Sequence, residues 1–87
     1  MAYPFGGHPR LADYLQWASV DHSCTSQSGF TKIDGKMETF VLVENPQNGM
    51  HVHIYAGFNE FLTPSQVSYI DRRLGLESPF SKLATYQ

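Results

Sequence analysis

His51, His53 and Tyr55 alternate along one short stretch, and their types and spacing suit chemistry better than those of any other group in the chain. Alternate side chains of an extended strand point to the same face, so these three would share one surface. Two imidazoles on one surface suit metal ligation, or acid–base catalysis on an RNA ribose by one of them. A metal site needs at least one further ligand. The candidates for it are His22, Cys24 and Glu38. The interpretation we favour is that both histidines are surface residues of a half-exposed sheet.

Positive charge near the scissile phosphate is a second requirement of a ribonuclease. The candidates for contacting nucleic acid are Lys32, Lys36, Arg72 and Arg73. The two arginines fall near the predicted C-terminus of a helix, where such a pair more often forms a solvated face. The formal net charge of -2 argues against indiscriminate nucleic-acid binding, which depends on a surplus of Lys and Arg.

The histidines belong to residues 37–56, which are predicted to form two strands around a turn. The turn signal is the run Asn45-Pro46-Gln47-Asn48-Gly49. If these five residues form the loop, Glu44 faces Met50 and Val43 faces His51. One face, predicted to be the core face, then carries Phe40, Leu42, Val52 and Ile54. The second face carries Thr39, Val41, Val43, His51, His53 and Tyr55.

A further strand, residues 30–33, precedes the two-residue turn Asp34-Gly35, while residues 21–29 are predicted to be a loop. The turn pairs Ile33 with Lys36 and Phe30 with Thr39, which places Phe30 on the second face. That face is therefore partly apolar. Either a bulge shifts the register, or a partner protein, another copy of this chain in the first instance, covers the face. The predicted interface residues are Phe30, Val41, Val43 and Tyr55.

A helix is predicted on each side of the strands. The first runs from Pro9 to Ser19 or Val20. The second begins with Thr63 as N-cap, Pro64 and a Thr-x-x-Gln capping box, and ends at Gly75. Its predicted buried stripe is Val67, Ile70 and Leu74, with Ser65, Ser68, Asp71, Arg72 and Arg73 outward.

Residues 1–87 are predicted to form one small domain, with an N-terminal arm (residues 1–8) and a C-terminal tail (residues 77–87). The fold class is α+β in the order α-β-β-β-α, a three-stranded antiparallel sheet with two helices packed on one face. Cys24 is the single cysteine, and we find neither a leader pattern nor an apolar run of membrane-spanning length. We therefore expect a cytoplasmic protein without cofactor, metal or membrane contact.

This order of elements resembles the HicA family of small toxin ribonucleases, whose fold is similar to the double-stranded-RNA-binding domain. The matching segment runs from Phe61-Leu62-Thr63-Pro64 through Ile70 to Leu74-Gly75-Leu76. In topology the resemblance covers residues 10–76, and it implies RNA binding or cleavage. The family carries a histidine in a Gly-Ser-His-type motif on a strand after the first helix, whereas the equivalent residues 35–40 contain none. No catalytic residue of the family can therefore be assigned here.

Three functions follow as hypotheses. We favour a small non-enzymatic binding protein that contacts itself, as a homodimer, or another protein through the second face. The alternative is a HicA-like nucleic-acid-binding protein or ribonuclease that uses His51 and His53 with the four cations named above. A metal-dependent hydrolase built on the two histidines is a remote third.

Overall fold

The computed structural model describes residues 9–80, which include two helices and one sheet; residues 79 and 80 are also helical. The elements are α1 (Leu11–His22), β1 (Thr25–Ile33), β2 (Lys36–Glu44), β3 (His51–Ile54) and α2 (Pro64–Leu74). The strands are antiparallel in the order β1-β2-β3. The predicted α+β class and order of elements are confirmed. The predicted N-terminal arm and the last seven residues of the predicted tail lie outside the described residues.

The ends of α2 are those that its sequence predicts. The Thr63 hydroxyl accepts a hydrogen bond from the Gln66 amide (3.2 Å), and the Gln66 side chain accepts one from the Thr63 amide (2.7 Å). At the other end Gly75 has φ 68°, and the Leu76 amide donates to the Asp71 carbonyl. Because both ends are closed by short-range hydrogen bonds, α2 is specified locally.

The first helix differs from its prediction at both ends. It begins at Leu11 rather than Pro9, and it continues to His22 rather than ending at Val20. The Leu11 amide donates to the Glu60 carbonyl (3.0 Å), so the start of α1 is bonded to the connection that follows β3. This long-range partner leaves no local signal in the sequence.

The core lies between the helices and one face of the sheet. It comprises Leu11, Tyr14, Trp17 and Ala18 of α1, Val41, Val43, Val52 and Ile54 of the strands, Val67, Ile70 and Leu74 of α2, and Cys24, Ala56, Leu62 and Phe80 of the connecting segments. Phe80 is fully buried and so is Ser78. Both residues belong to the predicted C-terminal tail (residues 77–87), and the core encloses them.

A buried polar contact joins α1 to α2 inside this core. The Tyr14 hydroxyl donates to one carboxylate oxygen of Asp71 (2.5 Å), and the amide and hydroxyl of Ser78 donate to the other (3.1 and 2.9 Å). Asp71 is only 6% exposed, so the prediction that it faces outward is wrong. Three donors replace the water that a carboxylate loses on burial, and this makes the position tolerable.

The register between β2 and β3 differs from the predicted one by a single residue. The Asn45 amide donates to the Met50 carbonyl (2.8 Å), so these two residues face each other and the loop is Pro46 to Gly49. Val43 consequently pairs with Val52, and Val41 with Ile54. A shift of one residue exchanges the two faces of a strand. The predicted faces of β2 were therefore wrong, whereas those of β3 were right.

The Asn45 side chain explains why the loop closes one residue later along β2. Its oxygen accepts a hydrogen bond from the Gln47 amide (3.0 Å), and its amide donates to the Leu74 carbonyl at the end of α2 (3.0 Å). Asn48 donates to the same carbonyl (3.0 Å). These hydrogen bonds hold the β2–β3 loop against α2. Turn propensities alone cannot predict this constraint.

The β1–β2 hairpin has the predicted turn and register but is longer than predicted. Asp34 and Gly35 have φ 51° and 80°, as a type I′ turn requires, and Ile33 pairs with Lys36. β1 nevertheless begins at Thr25, inside the segment predicted to be a loop. β3 pairs only with residues 41–44 of β2. Residues 29–33 and 36–40 therefore form a two-stranded extension, here called the distal ribbon.

Candidate binding surface

The face of the sheet opposite the helices, here called the helix-free face, carries the two histidines. The residues on this face include Gly29, Thr31 and Ile33 of β1, Glu38, Phe40 and Leu42 of β2, His51 and His53 of β3, and Tyr55 just after β3. His51 and His53 are exposed, and both of their core-side neighbours, Val52 and Ile54, are buried. The prediction that the imidazoles point away from the helices agrees with this geometry.

An aromatic cluster of Phe40, His53 and Tyr55 occupies the middle of the helix-free face. The Phe40 ring lies 5.1 Å from the His53 ring and 6.0 Å from the Tyr55 ring, measured between centroids. The ring also covers Gly29, since a Cβ atom built there would lie 2.6 Å from Phe40 Cζ. Phe40 is half-buried by these neighbours, whereas Tyr55 is 53% exposed.

The predicted interface residues do not form one surface. Val41 and Val43 are 3% and 1% exposed and belong to the core, because the register of β2 differs from the predicted one. Phe30 shares a face with Val41 and so lies on the helix side of the sheet, at 70% exposure. Only Tyr55 lies on the helix-free face. The placement of Val41, Val43 and Phe30 there is thus corrected.

Sequence reasoning missed Phe40, Leu42 and Gly29 as members of this face. A signal for Gly29 was present, because the correctly predicted Asp34-Gly35 turn already pairs Gly29 with Phe40. A glycine opposite an aromatic residue on a neighbouring strand indicates a ring that crosses it. The assignment of Phe40 to the core concealed that signal.

A cleft of about 260 Å³ lies beside the aromatic cluster, between β3 and α2. Its lining consists of His53, Ile54, Tyr55, Gln66, Tyr69 and Ile70. His53 and Tyr55 therefore contribute both to the helix-free face and to the cleft. The two features form one continuous surface around the outer edge of β3.

The four candidate cations fall at opposite ends of the sheet. Lys32 and Lys36 flank the β1–β2 turn, whereas Arg72 and Arg73 are in the last turn of α2, beside the β2–β3 loop. β2 has nine residues, so about 26 Å separates its two ends at about 3.3 Å per residue. The lysines and the arginines consequently do not converge on one phosphate.

The histidines are not joined by a third metal ligand in the part of the chain that the structure describes. His51 and His53 have ring centroids 6.3 Å apart, and no group of three His, Cys, Asp or Glu side chains is placed to hold a metal ion among residues 9–80.

Cys24 and His22, two of the candidates for a third metal ligand, are also close enough in sequence to suggest a cysteine–histidine nucleophile pair. The His22 ring packs edge-on against Trp17, with 4.9 Å between centroids. Cys24 is buried, and burial raises the pKa of its thiol. An activated cysteine requires the opposite shift.

None of the described helices combines the length and apolar character needed to cross a membrane. The arrangement of helices and strands is compatible with the topology of the double-stranded-RNA-binding domain. No protein-family model matches the chain, and the searches of curated proteins and of solved structures also found no match.

Proposed function

We propose that this chain is a small non-enzymatic binding protein whose helix-free face contacts a protein surface, of another copy or of a different protein. The observation that carries the proposal is the aromatic cluster of half-buried Phe40 with exposed His53 and Tyr55, on a face that no described helix covers. Exposed aromatic side chains grouped on one surface are typical of protein interfaces.

The chemistry of the cluster supports a protein rather than a polyanion as the partner. Tyr55 presents a large apolar ring with one polar atom, and Tyr is enriched among residues that dominate binding energy. The adjoining cleft adds the apolar Ile54 and Ile70 beside Tyr69. The candidate lysines and arginines, in contrast, lie away from the cluster at the two ends of the sheet.

Site-specific photo-crosslinking tests the proposal in the cells from which the chain comes. A benzophenone amino acid at Tyr55 should capture a discrete protein, because Tyr55 is half exposed at the centre of the proposed contact. The matched control is the same amino acid at Val20, which is 74% exposed on α1. Capture at both positions alike, or at neither, would reject the helix-free face as the contact.

A second variant gives the contact a measurable strength. Phe40→Ser removes the ring over Gly29, and truncation of a central interface residue costs about 2 kcal/mol or more in binding, a loss of roughly thirtyfold in affinity. Capture at position 55 should therefore fall to the control level. Undiminished capture by this variant would show that the cluster does not form the contact.

The HicA-like function is kept as a second candidate because the topology is compatible with the double-stranded-RNA-binding domain. In that case RNA should bind at low salt. The double variant Lys32→Glu/Lys36→Glu and the double variant Arg72→Glu/Arg73→Glu should weaken RNA binding unequally, because the two pairs of cations lie at opposite ends of the sheet and only one pair can lie at the RNA contact. Cleavage should be abolished by His51→Ala or His53→Ala. Absence of RNA retention on filters at low salt would eliminate this candidate.

A further inference from the structure

The outer edge of β1 is the longest unpaired strand edge among residues 9–80. β1 lies at one side of the sheet, and its nine residues pair with β2 from Thr25 to Ile33 without interruption. Every residue of β1 is exposed or half-exposed. The strand therefore contributes no buried side chain to the core and depends on its ladder with β2.

The turn determines which backbone groups of β1 point outward. Ile33 and Lys36 flank a two-residue turn and so form a hydrogen-bonded pair, after which bonded and non-bonded pairs alternate. The residues whose N–H and C=O groups point away from β2 are then Ser26, Ser28, Phe30 and Lys32. The hydrogen bond from the Asn45 amide to the Met50 carbonyl confirms this alternation independently. It shows that the odd-numbered residues of β2 direct their backbone N–H and C=O groups toward β3, so the even-numbered residues direct theirs toward β1.

This edge lacks most of the features that prevent edge-to-edge pairing. β1 contains no proline, and its continuous pairing with β2 contains no bulge. Lys32 is its one charged residue. Each outward residue offers one donor and one acceptor, so the edge presents a regular row of unpaired groups within the described structure.

We propose that β1 of one copy pairs with β1 of a second copy, antiparallel, about a two-fold axis at Gly29. The outward residues are symmetric about Gly29, so Ser28 pairs with Phe30 of the second copy and Ser26 with Lys32. Every outward residue thereby finds an outward partner, as an isologous contact requires. The product is a six-stranded sheet with the helices of both copies on the same side.

The side chains fit this register on both faces. On the helix side, the two Phe30 rings become diagonal neighbours, which aromatic side chains can bridge. Phe30 is 70% exposed in the single chain, so its ring has apolar area to bury. On the helix-free face, Ile33 lies opposite Thr25 of the second copy, a pair of β-branched residues.

The register also keeps like charges of the two β1 strands apart. Lys32 lies opposite Ser26 of the second copy, near the junction at which α1 ends with His22 and β1 begins. A helix C-terminus attracts cations, and Asp21 stands in the same last turn of α1. In this register the one charge on β1 lies opposite a neutral serine, four residues along the chain from the last residue of α1, which is His22.

Disulfide trapping with two different variants tests this register. Both carry Cys24→Ala, and one adds Gln27→Cys and the other Thr31→Cys. These two positions form a non-bonded pair across the axis, with Cα atoms about 4.5 Å apart, within the span of a disulfide. Mixing them with oxidised glutathione should give a heterodimer, whereas each variant alone should not, because its own two cysteines lie far apart.

The control pair shifts the register by two residues on the same face. Thr25→Cys mixed with Thr31→Cys places the cysteines diagonally, about 7–8 Å apart, beyond what a disulfide tolerates. We expect about tenfold less heterodimer from this mixture. Equal yields from the two mixtures, or a single-chain mass of the native protein at millimolar concentration, would overturn the proposal.

A backbone variant separates strand pairing from chance collision. Ser28→Pro removes an outward N–H and leaves the bonds to β2 in place, since Ser28 does not donate to β2. In the trapping background it should lower the yield to that of the control mixture, whereas Ser28→Ala should leave it unchanged. Equal yields from the proline and alanine variants, with both folded by circular dichroism, would reject the pairing.

The two-copy sheet is independent of the proposed function of the helix-free face. The trapped heterodimer forms or fails whether or not Tyr55 contacts another protein. A positive trap with no capture at Tyr55 would thus retain the β1 pairing and remove only the proposed contact.

Discussion

The hydrogen bond from Tyr14 to Asp71 is where we predict that removal of a single hydroxyl lowers the free energy of unfolding most. Tyr14→Phe deletes the donor to one oxygen of a buried carboxylate and leaves the ring in place. We expect a loss of about 1–3 kcal/mol in the free energy of unfolding, because a buried acceptor loses its partner. Urea denaturation measures it.

The control for this variant is Tyr55→Phe. Tyr55 is half exposed, so its free energy of unfolding should stay within about 0.5 kcal/mol of the native protein. Equal losses for the two variants would show that the Tyr14–Asp71 bond contributes nothing specific.

Tyr14 should also make the stability of the folded protein depend on pH in the alkaline range. Burial in the first place, and then the hydrogen bond to Asp71, raise the pKa of Tyr14 well above its ordinary value of 10.0. Above pH 10 the unfolded chain loses this proton while the folded chain keeps it. Stability is therefore complete below pH 10 and falls as pH rises above it, by up to about 1.4 kcal/mol per pH unit.

Urea denaturation at pH 9, 10 and 11 tests this sign. The native protein should lose stability over that interval, and Tyr14→Phe should lose less, because it lacks the group that titrates differently in the two states. Parallel slopes for the two proteins would contradict the assignment.

Gly75 offers a comparison between two glycines of similar backbone. Gly75 and Gly49 have φ 68° and 73°, so alanine strains both. A Cβ at Gly75 would lie 2.7 Å from the Asn48 side-chain nitrogen and 3.1 Å from the Met50 sulfur, whereas nothing lies within 4 Å at Gly49. Gly75→Ala should therefore cost about 1–2 kcal/mol more in thermal or urea unfolding than Gly49→Ala. Equal losses of stability for the two variants would show that the β2–β3 loop moves away from the added Cβ atom without loss of stability.

The burial of Asp71 shows what sequence reasoning omits at this scale. Its position on α2 is three residues before Leu74, and a charged residue at a helix edge is ordinarily predicted to face water. Tyr14 and Ser78, which are 57 and 7 residues away along the chain, supply the hydrogen bonds that reverse this expectation. Neither partner is identifiable from periodicity.

At the scale of the elements, the β2–β3 loop and α2 depend on each other through Asn45. Asn45→Ala removes the buried bond to the Leu74 carbonyl and the bond from the Gln47 amide. We expect a loss of about 1–2 kcal/mol, moderated because Asn48 still donates to Leu74. Asn59→Ala, at an exposed position, is the control and should change urea stability by less than about 0.5 kcal/mol. Similar effects of both variants would contradict this role.

Elements with local signals were predictable and elements with distant partners were not. The capping box of Thr63 and Gln66, and the Asp34-Gly35 turn, encode their own hydrogen bonds within four residues. The register at Asn45 depends instead on α2, 29 residues further along. For the candidate site, the outward direction of His51 and His53 followed from β3 alone, whereas Phe40 and Val41 exchanged faces with that register.

At the scale of the whole molecule, stability should be uneven along the β1–β2 hairpin. The distal ribbon has only its own ladder, because β3 pairs with residues 41–44. Two strands without further cover are marginal in water. Amides of Thr31 and Glu38, which bond across the ribbon, should exchange with solvent faster than those of Val43 and Val52, and hydrogen exchange by NMR at low protein concentration measures this. Uniform protection would show that something else covers the ribbon.

The sequence predicted which way the side chains point for part of the molecule, but it did not predict which of its surfaces are available to a partner. Phe30 was predicted to be an interface residue, and its exposure of 70% keeps it available, although on the helix side of the sheet. The strand around it contributed no periodic signal, since Ser, Thr and Gly dominate β1. The nine-residue length of β1 is evident only from its pairing with β2 in the structure.

Trp17, the single tryptophan of the chain, lies 8% exposed within the core and contacts the Tyr14, His22 and Phe80 rings. Intrinsic fluorescence of the native chain excited at the red edge of indole absorption therefore originates at one site, where α1 meets Phe80. Loss of that docking moves the indole into water and shifts its emission to longer wavelength, so the protein carries an optical reporter that needs no label.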